Sequence, residues 1–147
     1  MSSPTDDRDP WFIAEAEEEG MPLLFRVREL TPAGVEPKKY PYLISVLWKF
    51  EHSGTGMPAD EVMDQMNDFE DRLDALEGPA IGYMMVSITG NGRKEWLWYV
   101  ADRSRYMSGV NRVLSSSSGH YPVDFEASSD PTWETFRAFI EGAQEKQ

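Results

Sequence analysis

The chain has 147 residues, of which 26 are acidic and 14 are basic, so its formal net charge at pH 7 is −12. This charge repels phosphate backbones and argues against direct binding to DNA or RNA. The absence of cysteine excludes disulfides, thiolate metal sites and a cysteine nucleophile, and no apolar run approaches a membrane span, so we expect a soluble cytoplasmic protein without membrane contact.

The N-terminal region predicts a flexible leader followed by a pair of strands. Residues 1–10 are polar and acidic and lack the apolar segment of a signal peptide. Apolar residues at 11–14 and 23–30 predict two strands joined near Glu19 and Gly20. Because the remaining length is typical of one domain and no linker interrupts it, we expect residues 11–147 to form a single domain.

The segment 40–50 predicts a strand, because its apolar side chains alternate. One face carries Tyr42, Ile44, Val46, Trp48 and Phe50. Leu43 and Leu47 give the other face apolar character as well. The glycine-rich loop at 52–57 has the composition of a phosphate loop but not its spacing, and no Gly-Lys-Ser/Thr follows, so we expect no phosphate site there.

Residues 58–78 predict a helix, with Pro58 at its first position and Gly78 as its stop. Its buried stripe comprises Val62, Met66, Phe69, Leu73 and Leu76. Its opposite side carries Asp60, Asp64, Asp68, Asp71 and Asp74. Carboxylates at this spacing are able to bind a cation, but no histidine or loop ligand accompanies them. We therefore interpret the aspartates as a solvated face and expect no metal.

A β-hairpin is predicted around Asn91 and Gly92, the preferred residues of a two-residue type I′ turn. The turn sets the register of the two strands. On one face it pairs Ile88 with Glu95, Val86 with Leu97, and Met84 with Tyr99. On the other face it pairs Ser87 with Trp96, Met85 with Trp98, and Tyr83 with Val100. Neither face is polar, so both faces of the sheet need a cover.

Two helices and a strand complete the chain. Asp102 predicts the N-cap of a helix that ends near residue 115. Its inner side carries Tyr106, Val110, Val113 and Leu114. A strand with one apolar face then contains Tyr121, Val123 and Phe125. Asp130 predicts the cap of a third helix with Pro131 at its first position. The inward residues of this helix are Trp133, Phe136 and Ile140.

This order of elements predicts an α+β fold. From residue 40 onward it forms a ferredoxin-like βαββαβ sandwich, to which an N-terminal strand pair and an extra C-terminal helix are added. Right-handed crossovers place the first two helices on one face and make the first and third strands of the core central. The second face is then covered either by the third helix and the N-terminal strands or by another protein.

A protein interface is accordingly one prediction for the second face. The candidate interface residues are Tyr83, Met85, Arg93, Glu95, Trp96 and Trp98. The net charge favours a protein partner with a basic segment, and a homodimer that buries the same face is the alternative.

An enzyme is the rival prediction, with a polar site built by loops around His52, Arg93 and Glu95. Asp124 and Glu126 share a strand face and form a second candidate carboxylate pair. No serine elbow, triad motif or nucleotide signature accompanies these residues or the second histidine. We therefore assign no catalytic, metal-binding or cofactor-binding residue.

Three segments of the sequence carry a family resemblance. They are Glu-Asp-Arg-Leu at 70–73, Gly-Asn-Gly-Arg-Lys-Glu-Trp-Leu-Trp-Tyr-Val-Ala-Asp at 90–102, and Asp-Pro-Thr-Trp at 130–133. Together they resemble a bacterial family known as domain of unknown function 695, over most of the chain. That family has no established activity, so the resemblance assigns no catalytic residue.

A more distant likeness is to the regulator of ribonuclease E activity B. It lies in the order of elements, the acidity and the Asp-Pro-x-Trp helix start. The likeness implies a ferredoxin-like inhibitor that acts by protein contact. The acidic composition, the sheet with two apolar faces and the missing catalytic set together predict a non-enzymatic binding or regulatory module.

Overall fold

The computed structural model describes residues 10–52, 54–116 and 121–145. Apart from Pro10, the predicted leader lies outside the described residues, as does His120. Within them, the strands are β1 (Trp11–Glu18), β2 (Met21–Arg28), β3 (Tyr42–Lys49), β4 (Gly82–Gly90), β5 (Arg93–Val100) and β6 (Val123–Ser129). The α-helices are α1 (Asp60–Asp74), α2 (Arg103–Ser116) and α3 (Glu134–Glu145). A short 3-10 turn, Pro37–Lys39, precedes β3.

The strands form one antiparallel sheet with the order β1-β2-β4-β5-β3-β6. The structure therefore confirms the predicted mixed α+β class. β3 and β5 are neighbours, β6 lies outside β3, and β4 lies outside β5. The N-terminal hairpin continues the sheet past β4, where a four-stranded ferredoxin-like sheet would end, so the six-strand order differs from the predicted sandwich.

The N-terminal hairpin is regular. β1 and β2 pair along their whole length, beginning with Trp11 opposite Arg28. The turn consists of Glu19 and Gly20, whose φ angles are 53° and 80°. Positive φ at both central residues is the geometry of a type I′ turn, which suits a two-residue hairpin. The predicted strand pair and its turn are therefore confirmed.

One face of the sheet packs against α1 and α2. Trp96 and Trp98 are both fully buried in this layer. The ring of Phe69 from α1 lies 5.3 Å from that of Trp96, and the ring of Tyr106 from α2 lies 5.2 Å from that of Trp98. Edge-on and tilted aromatic pairs at such distances add stability beyond their buried area. Both predicted apolar helix stripes are thus confirmed as core.

The other face packs against α3 and the residues that precede it. Trp133 stacks on Tyr99 with ring centroids 4.3 Å apart and an interplanar angle of 18°. Its indole Nε1 donates a 2.9 Å hydrogen bond to the carbonyl of Tyr40. Phe136 is buried beside these residues. Cover of the second face from within the chain, one of the two predicted alternatives, is therefore what the fold provides.

Two helix starts differ from the prediction. α1 begins at Asp60, so Pro58 precedes the helix instead of occupying its first position. α3 begins at Glu134, three residues after Pro131. The cause of the second difference is Trp133, whose φ of 57° is left-handed and keeps the Asp-Pro-Thr-Trp segment out of the helix.

The β4–β5 register is correct up to a bulge that the sequence did not reveal. The predicted pairs Ile88–Glu95 and Val86–Leu97 are present. Beyond them, Met84 lies opposite Trp98, so the predicted pairs Met84–Tyr99 and Met85–Trp98 are wrong. The shift falls between Met84 and Val86 because Met85 is the extra residue of the bulge. As a result, Met85 and Val86 both point toward the α3 face.

Candidate functional site

The apolar candidate interface residues are divided between the two faces of the sheet. Trp96 and Trp98 are fully buried on the α1–α2 face, whereas Met85 is fully buried on the α3 face. Tyr83 lies opposite Tyr99 instead of Val100 and is only partly buried. Since Trp96, Trp98 and Met85 are core side chains of the folded chain, the structure does not bring these candidates together on one accessible surface.

Arg93 and Glu95 belong to a polar cluster at the β4–β5 turn. Arg93 Nη1 donates to Glu18 Oε1 over 2.9 Å, and Arg93 Nε lies 3.4 Å from Glu95 Oε2. Asn91 Nδ2 donates to the same Glu18 oxygen over 2.7 Å. This bond, helped by the charge of Arg93, lowers the pKa of Glu18 in spite of some desolvation. The cluster joins the end of β1 to the turn.

His52 organises the glycine-rich loop. Its Nδ1 accepts hydrogen bonds from the amides of Gly54 and Gly56, at 3.1 and 2.9 Å. A cavity of about 380 Å³ beside the β4–β5 turn includes Arg93 and Glu95 in its lining, but His52 does not line it. Among the described residues, the three members of the predicted loop-built site therefore do not converge in one cavity.

The predicted carboxylate groups are exposed. Asp124 and Glu126 lie on the outer strand β6. The residues opposite them on β3 are Leu47 and Ser45, so no ionisable side chain lies opposite either carboxylate. The aspartates of α1 also face solvent. In the part of the chain that the structure describes, no three acidic or imidazole side chains converge in a way that could hold a metal ion.

A charged cleft that the sequence reasoning missed lies between the N-terminal hairpin and α1. Its volume is about 380 Å³. It is lined by Trp11, Arg26, Arg28, Glu70, Asp74, Glu77 and Met84. Arg26 Nη2 lies 2.7 Å from Glu70 Oε2, and Arg28 Nη2 forms a close ion pair with Glu77 Oε1. The arginines alternate along β2, Glu70 lies on α1, and Glu77 lies three residues beyond the end of that helix, so each arginine meets one glutamate.

Arg28 and Glu77 also complete the backbone hydrogen bonding of β4. The pairing of β2 with β4 ends at Val27 and Val86, next to the bulge. Arg28 Nε donates to the carbonyl of Met84 over 2.8 Å, and Glu77 Oε2 accepts from the Met84 amide over 3.2 Å. Arg28 is only 3% exposed, so its charge depends on these contacts. The ion pair therefore stabilises the point where the sheet becomes irregular.

Glu70 is the centre of the second half of the cleft. Its Oε1 accepts a 2.7 Å hydrogen bond from Trp96 Nε1 and lies 4.0 Å from Lys94 Nζ. Burial lowers the pKa of Lys94, and the charge of Glu70 opposes that change. The Trp11 ring covers both arginines, with its centroid 5.3 Å from the Arg26 guanidinium and 4.8 Å from that of Arg28.

Asp74 lies at the mouth of the charged cleft, where its side chain still reaches solvent. Partial burial, followed by the charges of Glu70 and Glu77, raises the pKa of Asp74 to about 6. The other acids of the cleft are held by cations. Chemically, the cleft is a network of ion pairs that holds the hairpin against α1. Two sequence signals pointed to it: arginines alternating in β2, and acids at 70 and 74 on one side of α1 with a third acid at 77, just after the helix.

An apolar groove lies on the opposite side of the hairpin, next to α3. It has a volume of about 190 Å³. Its lining includes Phe12, Ala14, Ala16, Phe25, Val27, Ala138 and Phe139. The rings of Phe25 and Phe139 lie 5.5 Å apart and close one wall. Near the groove, but on the other face of β1, the side chain of Ile13 is 68% exposed.

The model of a family described as a family of unknown function (DUF695) matches residues 9–140. The chain belongs to the DUF695 family. The resemblance predicted from the sequence is thereby confirmed, and the match includes the hairpin, the charged cleft and most of the groove. Comparison of this DUF695 chain with curated proteins and with solved structures finds no match, and the likeness to the regulator of ribonuclease E activity B stays a prediction. Among its described residues, no helix is long and apolar enough to cross a bilayer.

Proposed function

We propose that this DUF695 chain is a non-enzymatic binding module that contacts a protein partner through its N-terminal hairpin. The observation that carries the proposal is the outer edge of β1, which has exposed Ile13 on one face and the apolar groove on the other. Exposed apolar surface beside a preformed groove is typical of a binding site. Leu24, which is 39% exposed, lies diagonally across the hairpin from Ile13 and extends the same surface.

The charged groups of the described residues also favour binding over catalysis. Arg26, Arg28 and Arg93 each contact a carboxylate. The Nδ1 atom of His52 accepts amide hydrogen bonds from its own loop. A nucleophile needs an adjacent base, and a base needs a free approach to substrate. His52, Arg93 and Glu95, which form the loop-built site of the enzyme prediction, instead have structural partners.

The proposal is tested by photo-crosslinking in cells. A benzoylphenylalanine at position 13 samples the hairpin surface, and one at position 124 samples the opposite edge of the sheet as a matched control. We expect a discrete covalent adduct with one protein, identified by mass spectrometry, from position 13 and not from position 124. Adducts at neither position would overturn the proposal, and an adduct between two copies of the chain would support the homodimer instead.

We further propose that the segment from β3 to β6 is a ferredoxin-like unit with two added strands. Its support is the antiparallel order β4-β5-β3-β6, together with α1 and α2 on one face. A variant that lacks the N-terminal hairpin tests this classification. An independent unit would retain a cooperative unfolding transition, whereas loss of that transition would make the six-stranded sheet the true folding unit.

We also propose that the chain is located in the cytoplasm. Its support is the absence of cysteine from the sequence, because disulfides are rare in reducing compartments. Cell fractionation with an antibody against the chain tests it, and recovery outside the cytoplasmic fraction would contradict it.

A further inference from the structure

We propose that β1 binds its partner by strand addition: an extended segment with alternating apolar and basic side chains pairs antiparallel with the open edge of β1. This inference rests on the proposed function and specifies the chemistry of the partner. It follows from three separate properties of β1, namely its outward-pointing backbone groups, its small side chains on the α3 face and its charges on the α1 face.

At every second residue of β1, the backbone N–H and C=O groups point away from β2. The amide of Glu29 donates to the carbonyl of Pro10 over 3.0 Å, which makes these residues a hydrogen-bonded pair. Such pairs alternate along an antiparallel ladder, so residues 12, 14, 16 and 18 also bond to β2. The amides and carbonyls that point away from β2 belong to Trp11, Ile13, Glu15 and Glu17. No strand of the described residues pairs on that side, and an open row of this length is a template for another strand.

The α3 face of β1 leaves room for an added strand. Phe12, Ala14 and Ala16 point to this face, and all three line the apolar groove. Two of them are alanines, so the groove of about 190 Å³ lies beside the open edge and is not filled by β1 itself. Every second side chain of an added strand would enter this space, and an apolar side chain suits its lining.

The α1 face of β1 changes from apolar to acidic along the strand. Ile13 is exposed near its start, and Glu15 and Glu17 are exposed toward its end. Residues directly opposite on neighbouring strands interact, so a partner residue opposite a glutamate would be basic and one opposite Ile13 apolar. The net charge of −12 attracts a basic segment over a longer range.

A second copy of the chain suits this edge poorly. In an antiparallel pair of β1 strands, hydrogen-bonded outward residues lie opposite outward residues of the other copy. Glu15 and Glu17 would then lie opposite Trp11 or Ile13, or opposite each other, and never opposite a cation. Burial of unpaired carboxylates and like-charge pairing are both unfavourable. Charge complementarity therefore selects a basic segment over self-association.

The probe is an acetylated peptide, Lys-Leu-Lys-Leu-Val-Val-Thr, whose two lysines lie opposite Glu17 and Glu15 in the proposed register. Its affinity for the full chain is measured by fluorescence anisotropy. The matched control peptide carries N-methyl groups on its third and fifth residues, which removes two hydrogen bonds to β1 without changing a side chain. We expect binding of the first peptide and loss of binding by the methylated one. Equal affinity would overturn strand addition.

Amide hydrogen exchange locates the bound peptide. Strand addition gives new hydrogen bonds to the amides of Trp11, Ile13, Glu15 and Glu17, whereas those of Ala14 and Ala16 already bond to β2. We therefore expect increased protection at these four odd-numbered positions only. Protection on β6 or on α1 instead would overturn the proposed site.

Charge reversal provides the matched variants. The double variant E15K/E17K changes the β1 edge, and D124K/E126K makes the same change in charge on the exposed edge strand β6. We expect the peptide to bind E15K/E17K about tenfold more weakly and D124K/E126K about as well as the native chain. Circular dichroism confirms that both variants fold. Equal weakening in both would show that only net charge matters and would overturn the register.

The experiments test the binding function and strand addition separately. If the peptide does not bind but position 13 still crosslinks to a partner, strand addition is wrong and the binding function stands. If neither is observed, both are wrong.

Discussion

The hydroxyl of Tyr99 donates a 2.6 Å hydrogen bond to Asp130, and the same carboxylate caps α3. Asp130 accepts from the amides of Glu134 and Thr135, at 2.9 and 3.0 Å. The Tyr99 oxygen accepts in turn from the amide of Phe136 at 3.2 Å. Burial acts to raise the pKa of Asp130, but these hydrogen bonds outweigh it and the pKa is lowered. One pair of side chains thus joins an inner strand to the helix that covers it.

Replacement of Tyr99 by phenylalanine is expected to lower the free energy of unfolding by about 1–3 kcal/mol. The change leaves the buried Asp130 carboxylate and the Phe136 amide each without one partner. Chemical denaturation measures the difference. Tyr42→Phe is the control, because it removes the same oxygen from a side chain that is only partly buried. Equal losses in the two variants would show that the Tyr99–Asp130 bond adds no stability.

Much of this fold could be predicted because its strongest signals are local. Asn91-Gly92 fixed the hairpin and its first pairs, and alternation in 40–50 identified the face that packs on α1 and α2. The bulge at Met85 has no comparable signal. The segment from Tyr83 to Val86 is apolar at every position, so either register buries an apolar side chain and the pattern cannot choose between them.

The charged cleft could not be assembled from the sequence for a different reason. Its signals were visible on each element, but Arg26 and Glu70 are separated by 44 residues. They meet only because the N-terminal hairpin adds to the β4 edge, beside α1. That placement depends on strand pairing across the whole sheet. The edge position of β1 could not be predicted for the same reason, because it depends on the order of strands in the sheet and not on the sequence of β1 alone.

The glycine-rich loop is expected to need Gly56 for packing, and not for phosphate binding. Gly56 accepts a 2.9 Å hydrogen bond from the amide of Gly92, and a Cβ at Gly56 would lie 2.8 Å from the Asn91 amide nitrogen. Gly56→Ala should therefore lower the free energy of unfolding by about 1–3 kcal/mol. Gly54→Ala is the matched control, because Gly54 also has a positive φ but its added Cβ would meet no atom within 4 Å.

Thermal and chemical denaturation compare the two loop variants. Both carry the strain of a left-handed alanine, so the difference between them isolates the contact with the hairpin turn. If the two variants lose the same stability, the packing explanation for Gly56 is wrong. If phosphate stabilises the native chain but not Gly56→Ala, the loop has the binding role that its spacing argued against.

Substitution of Trp98 by aspartate is expected to abolish the cooperative unfolding transition. Trp98 is fully buried against Tyr106, so the new carboxylate would have neither water nor a cation beside it. Ile13→Asp introduces the same group at an exposed site and should change the free energy of unfolding by no more than about 0.5 kcal/mol. Near-ultraviolet circular dichroism and denaturation check both. A folded Trp98→Asp protein would contradict the assignment of this side chain to the core.

Asp74 is expected to make the chain less stable as pH rises. Its pKa in the folded protein is raised from 3.8 to about 6, so the native state binds the proton more tightly than the unfolded state does. Stability from this group is therefore fully present below about pH 4 and is lost between pH 4 and 6. Asp74→Asn removes the titration. We expect the variant to be more stable than the native chain at pH 7 by on the order of 1 kcal/mol, a value that allows for solvent at the cleft mouth.

The difference between the two proteins should disappear as the pH is lowered to 4, because Asp74 is then protonated and resembles the amide. Denaturation curves at several pH values measure this convergence. Asp71→Asn is the control, since Asp71 is an exposed aspartate of the same helix. A constant difference across the pH range would assign the gain to helix propensity, and an Asp74→Asn variant less stable at pH 7 would show that the ionised carboxylate stabilises the charged cleft.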